Sequence, residues 1–382
     1  MDSRERILTA LNHKEPDCVP FDLGGTGQTG MHVLAYAALR NHLGLPLREV
    51  RARQVFDQGA EMHEDVLELL QADARHVVRR STLCERYSLL EQGDYWAYRD
   101  QWGILWCKPK SNGLYFDPTS PPLAGPDVRE RLKQYRWPDP SDPWHYEPLR
   151  GRAQAAQAKG KPVVLQGFTA GILETYAWLR GYNDFFLDLG ADAELAGYIL
   201  DALVDIKSAY WERALTELGG LVDVVNESDD LGSQQSLLIS PNTYRRLVKP
   251  RHKRLYAAIK RAAPHVMIFM HTCGAVRPLI PELIEIGVDI LNPVQRPRHG
   301  PGGTQTRLWA GDLLLGRGHR RPAGSGPWYA PANPRQRAPG HRSFGAWRRV
   351  RLRRRSCGAG KCPSAERDGD ARGSPGFWEV LN

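Results

Sequence analysis

The 382-residue chain carries 52 Lys and Arg against 43 Asp and Glu, a formal net charge of +9, and 41% of it is hydrophobic. That length allows one large domain or two small ones, and no stretch approaches the roughly 18 apolar residues of a membrane span. Six scattered cysteines (Cys18, Cys84, Cys107, Cys273, Cys357 and Cys362) make no disulfide framework, and the charged opening Met1-Asp-Ser-Arg-Glu-Arg is unlike a signal peptide, so a cytoplasmic protein is expected.

The positive charge is confined to one end. Residues 296–382 hold 17 Arg, one Lys and five acids, a net of +13, which leaves residues 1–295 at −4. Arg, Gly and Pro make up 41 of those last 87 residues, with two Val and no Ile or Met. Such a segment lacks the apolar content for a core.

In chain order, Ser3 to Asn12 has the spacing of a short amphipathic helix with Ser3 as N-cap. Glu15 to Gly25 reads as a turn, a short strand bearing Asp22, and a glycine loop. Gly30 to Leu43 and Glu61 to Leu70 read as helices, and Arg75 to Val78 as a strand. Between Tyr87 and Phe116, Trp96, Tyr98, Trp102, Trp106 and Tyr115 sit among alternating residues, and Asn112-Gly113 is a hairpin turn. A β-hairpin or meander inserted in an α/β pattern is expected there. Its aromatics fit a half-buried sheet more simply than a binding face. The Pro-rich stretch from Trp137 to Trp144 is a connector.

From Pro162 the α/β alternation is regular. Pro162–Gln166, Val222–Val225, Val266–Met270 and Val288–Leu291 read as strands. Gly171–Leu179, Glu194–Leu218, Ser240–Ala262 and Val276–Gly287 read as helices, with Ser240-Pro241 as N-cap and first helical residue and Pro250 as a kink or break. Four strands here and one or two before them imply a parallel sheet, and a (β/α)8 TIM-type barrel is the best closed solution if two more units follow.

The residues that carry chemistry cluster at the carboxyl ends of these strands, where α/β folds place their sites. His271 and Cys273 lie two apart, so both side chains can face one side, and imidazole with thiolate suits zinc. Glu227, Asp229 and Asp230 follow a predicted strand. They are candidates for acid–base work, for a cation or for substrate contact, with helix capping in a solvated loop as the competing reading. Asp22, Gln166 and Asn292 fall near strand ends and are candidates to touch substrate; Asp22 is also a candidate catalytic acid.

Several of these stretches resemble the uroporphyrinogen decarboxylase-like superfamily. They are Ser3-Arg-Glu-Arg-Ile-Leu-Thr-Ala-Leu-Asn-His-Lys-Glu-Pro-Asp-Cys-Val-Pro-Phe-Asp22, Glu227-Ser-Asp-Asp-Leu-Gly-Ser-Gln, Ile239-Ser-Pro, His271-Thr-Cys-Gly and Ile286-Gly-Val-Asp-Ile-Leu-Asn-Pro-Val-Gln295. The resemblance spans residues 3–295 and implies a distorted (β/α)8 barrel with its active site at the carboxyl mouth. True decarboxylases of the superfamily carry an Arg-rich segment after the first Pro, to hold the substrate's carboxylates, and use no metal. Here that stretch is Val19-Pro-Phe-Asp-Leu-Gly-Gly-Thr-Gly, without Arg, which weakens a porphyrinogen substrate. The other branch resembles cobalamin-dependent methyltransferases, which hold zinc through a His-x-Cys pair and a later ligand, and His271-Thr-Cys273 matches that pair. The resemblance implies zinc, a corrinoid protein as partner, and methyl transfer from it or from a methylated substrate to a thiol or corrinoid acceptor. Uroporphyrinogen decarboxylation, in porphyrin biosynthesis and with no cofactor, is the alternative. A truncated product without activity is the non-enzyme reading.

The same resemblance predicts Phe-Trp-Gly-Gly-Ile-Asp and a Val-His motif past Gln295, which the tail lacks. Read one base later in each codon, the tail can yield both, in family order; Leu315-Gly316 becomes Trp-Gly and His319-Arg320 becomes Ile-Asp. A frameshift near Gln295 is therefore expected, dividing the chain into an incomplete barrel, 1–295, and a disordered tail, 296–382. The barrel would stay open, with the Val288 strand left as an exposed edge. Cys357 and Cys362 are then accidental, and the Arg clusters at 348–349 and 353–355 are not a nucleic-acid site.

Overall fold

A computed structural model of the chain describes residues 1–79 and 88–293, and the backbone of Leu313–Leu314. The chain divides into two compact units, Met1–Arg321 and Pro322–Asn382; every described residue belongs to the first. The predicted disorder of the tail, Cys84, Cys357, Cys362 and the Arg clusters lie outside the described residues. No helix among those described is long and apolar enough to cross a membrane.

The N-terminal helix runs Ser3–Leu11, but Asp2 caps it. The Asp2 carboxylate accepts from the Glu5 N–H at 2.8 Å and the Glu5 carboxylate accepts from the Asp2 N–H at 3.0 Å, a reciprocal capping box. Ser3, expected as the cap, instead donates its hydroxyl to Asp73 at 2.9 Å. The strand expected around Asp22 does not form. Pro16 and Pro20 remove backbone donors, and the Phe21 N–H goes to the Asp73 carboxylate at 2.7 Å rather than into a ladder. Helix Val33–His42 follows, then the short pair β1 (Ala52–Gln54) and β2 (Gly59–Ala60), helix Glu64–Leu69, and β3 (Arg75–Val77).

The expected meander is a four-stranded antiparallel sheet of β4 (Leu90–Gln92), β5 (Tyr95–Arg99), β6 (Leu105–Pro109) and β7 (Asp117–Ser120). Asn112 takes φ +64° in the turn before β7. Tyr98 and Trp106 face each other across β5 and β6 and are buried, as are Trp102 and Phe116. The turn at Asp100 is pinned by its carboxylate, which accepts from the N–H groups of Trp102 and Ile104 (both 2.9 Å) and from the Trp106 indole (2.8 Å). Burial still pushes that carboxyl up to about 6, against those three hydrogen bonds.

The main sheet adds β8 (Val163–Gln166), β9 (Val224–Ser228), β10 (Met267–His271) and β11 (Ile290–Asn292), all parallel, in the order β3-β8-β9-β10-β11. A two-residue strand, β12 (Leu313–Leu314), pairs antiparallel with β11. The edge expected to be bare is therefore covered, although among the described residues the sheet is not closed into a barrel. Successive strand residues point to opposite faces. One face carries Ala74, Val164, Val224, Phe269 and Ile290 and is covered by Ile7 and Leu11 of the N-terminal helix. The other carries Val77, Val163, Leu165, Val225, Ile268 and Leu291 and joins a large core with the helices.

Chief among those helices are Ile172–Arg180, Tyr182–Ala191, Ala193–Leu218 and Lys249–Ala262. As expected, Ser240 caps the last region, accepting from the Thr243 N–H at 3.0 Å. Pro250 divides it, with a π turn over Tyr244–Val248 and a new helix from Lys249. Helix Tyr182–Ala191 was not separated in the sequence reading. Only Gly181, at φ +78°, parts it from the helix before.

Candidate metal centre

Alternation along the strands sorts the candidate residues. Gln166 stands opposite Asn226, Ser228 opposite His271, and His271 opposite Asn292, so these five share the face that carries Val164 and Phe269. Each strand thus turns from apolar to polar at its carboxyl end on that face. Glu227 lies on β9, which runs to Ser228 rather than ending at Val225 as expected, and it points to the opposite face. There it meets fully buried Lys207 at 3.0 Å and accepts from the Trp211 indole at 2.6 Å.

Two loops close over the end of β9 and β10. The Asp229 N–H donates to the His271 carbonyl at 2.8 Å, and the Thr272 hydroxyl accepts from the Leu231 N–H at 3.0 Å. Gly232 and Gly274 allow the approach. Gly274 has φ +89°, and a Cβ there would lie 2.4 Å from the Gly232 carbonyl carbon and oxygen. The closure brings Asp230 over β10, where its carboxylate accepts from the Cys273 N–H at 2.8 Å.

Asp230, His271 and Cys273 then present one oxygen, one nitrogen and one sulfur, all within 4.8 Å of one another. The His271 ring is held by its other nitrogen, Nδ1, 2.7 Å from Asn292 Oδ1. With Nδ1–H donating to that oxygen, the Nε2 lone pair faces Cys273 Sγ at 3.4 Å and the Asp230 carboxylate at 3.9 Å. Burial, then Asp230 and Glu174, pushes the Cys273 thiol up to about 11. Burial, then Asp230 and Asp229, pushes the Glu174 carboxyl up to about 8. The cluster is rich in donors and short of positive charge, so its chemistry fits a thiophilic divalent cation that replaces the thiol proton.

The sequence reading named His271, Cys273 and Asp230, and the structure brings them together. Asn292, a candidate to touch substrate, has its oxygen against His271 Nδ1. Asp229 is fully buried and caps helix Ile172–Arg180. It accepts from the Leu173 and Glu174 N–H groups, both at 2.9 Å, and from His252 Nε2 at 2.9 Å. Gly171 leaves the room, since a Cβ there would sit 2.1 Å from the Asp229 Cγ. Asp22 accepts from the Gly25 N–H at 2.7 Å in its glycine loop. Gln166 ends β8, with its amide 3.5 Å from Gln54 Oε1. Glu174 was missed. Its signal is its place in the first turn of the helix that follows β8.

Fold and site together define an α/β protein with a mixed N, O and S donor cluster at the carboxyl end of a parallel sheet. Residues 113–296 match the family model for uroporphyrinogen decarboxylase (URO-D). That match covers just under half of the chain, and with the motifs at residues 3–22 and 271–292 it supports the uroporphyrinogen decarboxylase-like superfamily. Among solved structures, a methyltransferase from Methanosarcina mazei aligns over 75% of this chain and 74% of its own, at 17% identity and a TM-score of 0.48. Native xylanase 10B from Thermotoga maritima aligns over 39% and 45%, at 12% identity and a TM-score of 0.28. Both are too distant for their chemistry to transfer. No curated protein matches.

Proposed function

We propose that the chain belongs to the metal-dependent methyl-transfer branch of its superfamily. The observation that carries this is the convergence of Asp230 Oδ, His271 Nε2 and Cys273 Sγ within 4.8 Å. Three such donors suit zinc with a fourth position open, as in catalytic sites. Bound there, zinc would supply Lewis acidity that lowers the pKa of an incoming thiol and leaves a thiolate to accept the methyl group. Asn292 keeps the His271 lone pair on the site, and the Cys273 N–H fixes the Asp230 carboxylate. Burial, then Asp230 and Asp229, raises the Glu174 carboxyl to about 8, so this group would be the one to hold a proton near the cluster. The methyl donor on this reading is a corrinoid protein or a methylated substrate. Decarboxylation of uroporphyrinogen, the alternative, needs no metal and lacks the Arg-rich segment after Pro20.

The test is metal content. The purified chain, reconstituted with zinc and desalted, should retain about one zinc per chain. Cys273→Ser and His271→Ala should each retain far less. Retention unaffected by either substitution, or no retention at all, would sink the methyl-transfer reading and leave the decarboxylase one.

We further propose that the gene loses its frame near codon 295. The family match ends at residue 296, where the composition turns to Arg, Gly and Pro. Resequencing codons 285–320 decides it: a missing or extra base restores the family's closing strands, whereas an unaltered sequence leaves this tail as the encoded one.

A further inference from the structure

A cavity of about 280 Å³ lies beside β3 and shares none of its lining with the donor cluster. His76 lines it, and both ring nitrogens of His76 are buried without a hydrogen-bond partner among the described residues. A buried imidazole with neither nitrogen engaged is costly, because a neutral ring always carries an N–H to donate. The guanidinium groups of Arg53 and Arg152 line the same cavity, and both act on that ring by their charge.

The cavity's acids do not balance this charge. Glu64 is taken by Arg75, which grips it at 2.7 Å, and by Lys159 at 3.2 Å. Glu61 lies 3.9 Å from Arg152, at the edge of an ion pair, and half its side chain is exposed. The Arg53 side chain is only 6% exposed, and its two contacts are long: 3.2 Å to Gln54 Oε1 and 3.3 Å to Asp57 Oδ2. Room for its guanidinium comes from Gly27 and Gly59, where a Cβ would approach its terminal nitrogens to 2.9 and 2.8 Å.

We propose that this cavity is an oxyanion site in which a phosphate or carboxylate group of a small molecule is held by Arg53, Arg152 and the His76 N–H. Two guanidinium groups lining one cavity with an unpartnered imidazole supply the charge-assisted hydrogen bonds that hold an oxyanion. Burial and the two arginines hold His76 well below the usual histidine range, so the ring is neutral and offers one N–H. Burial likewise lowers Arg53, against Asp57, as expected of a cation whose counter-charge is incomplete. The proposal does not depend on the metal reading.

The experiment follows the His76 ring nitrogens by NMR in the full chain, titrated separately with inorganic phosphate and with acetate. Saturable shifts of His76 with phosphate alone mark a phosphate site, and with acetate alone a carboxylate site. Arg152→Gln, whose side chain is 40% exposed and tolerant of change, should weaken the bound anion about tenfold. Arg53→Met should weaken it further, and if that variant fails to fold the Arg152→Gln titration decides alone. Cys273→Ser should leave the titration unchanged while losing zinc, so the two proposals fail separately. No movement of His76 with either anion, or equal shifts in wild type and Arg152→Gln, would overturn the oxyanion site.

Discussion

Two neighbouring polar residues, Asn226 and Glu227, show how much a one-residue step decides. On β9 the first shares the sheet face with His271, and the second lies on the other face against Lys207, both side chains being almost wholly buried. Replacing Glu227 by Gln leaves Lys207 charged and without its carboxylate in a dry interior. The expected cost is about 3 kcal/mol or more of stability, read from urea unfolding. If Glu227 serves chemistry instead, the variant should unfold like wild type and lose activity only. Asn292 makes the opposite prediction. Asn292→Ala should weaken zinc about 10–100-fold in a chelator competition, since the His271 ring loses the acceptor on Nδ1. Asn292→Asp, which keeps an acceptor, should hold zinc far better, and equal affinities in all three proteins would remove the orienting role. The types and spacing of His271 and Cys273 were legible in the sequence. The role of Glu227 was not, because facing depends on where β9 ends, and that was read three residues early; nor was that of Asn292, which lies one residue past the strand expected at Val288–Leu291.

At the scale of elements, the site depends on two loops that pack backbone against backbone at Gly232 and Gly274. Gly274→Ala would place a methyl group against the Gly232 carbonyl in a left-handed conformation. The expected result is a loss of about 2 kcal/mol or more, seen as a lower urea midpoint, together with weaker zinc binding as Asp230 is pushed away. Normal zinc affinity in a destabilised variant would mean that the loops need not touch for the cluster to form. The antiparallel sheet yields a prediction about pH. Asp100 takes up its proton at about 6 when folded and near 3.8 when free, so the folded state holds more protons between those values. Its contribution to stability is therefore full below pH 3.8 and is lost as pH rises towards 6. Asp100→Asn should remove that downward slope from the difference between the two stability curves, while costing about 1 kcal/mol at neutral pH for the altered contact with Trp106. A slope that persists in the variant would assign it to another group. The α/β rhythm and the meander were readable because apolar period and turn residues are local. The Asp2 cap and the missing strand at Asp22 were not, because both turn on contacts with Asp73 or on a two-way bond that a Ser cap would mimic in sequence.

For the whole molecule, the parallel order β3-β8-β9-β10-β11 was implied by the repeated units, whereas the cover of β11 by Leu313–Leu314 was not. A two-residue pairing carries no apolar pattern, and it lies in a segment whose composition signals none. If the frame is restored after codon 295, the product should unfold in one cooperative transition at a higher temperature than the chain as written and stay soluble at higher concentration. Indistinguishable melting curves for the two products would show that residues 296–382, as encoded, serve the fold as well as the family's own ending. The packing of the N-terminal helix also sets a clock. The N-terminal helix rests on the apolar face of the main sheet, and Arg4 donates to Asp223, 219 positions further on, at 2.9 Å. A ribosome adding about 5–20 residues each second needs roughly 10–45 s to make that partner. Through that interval Ile7 and Leu11 have at most β3 and β8 of the five parallel strands to lie on, so the first helix made waits for most of its cover, and a nascent chain offers part of its apolar side to whatever holds it meanwhile.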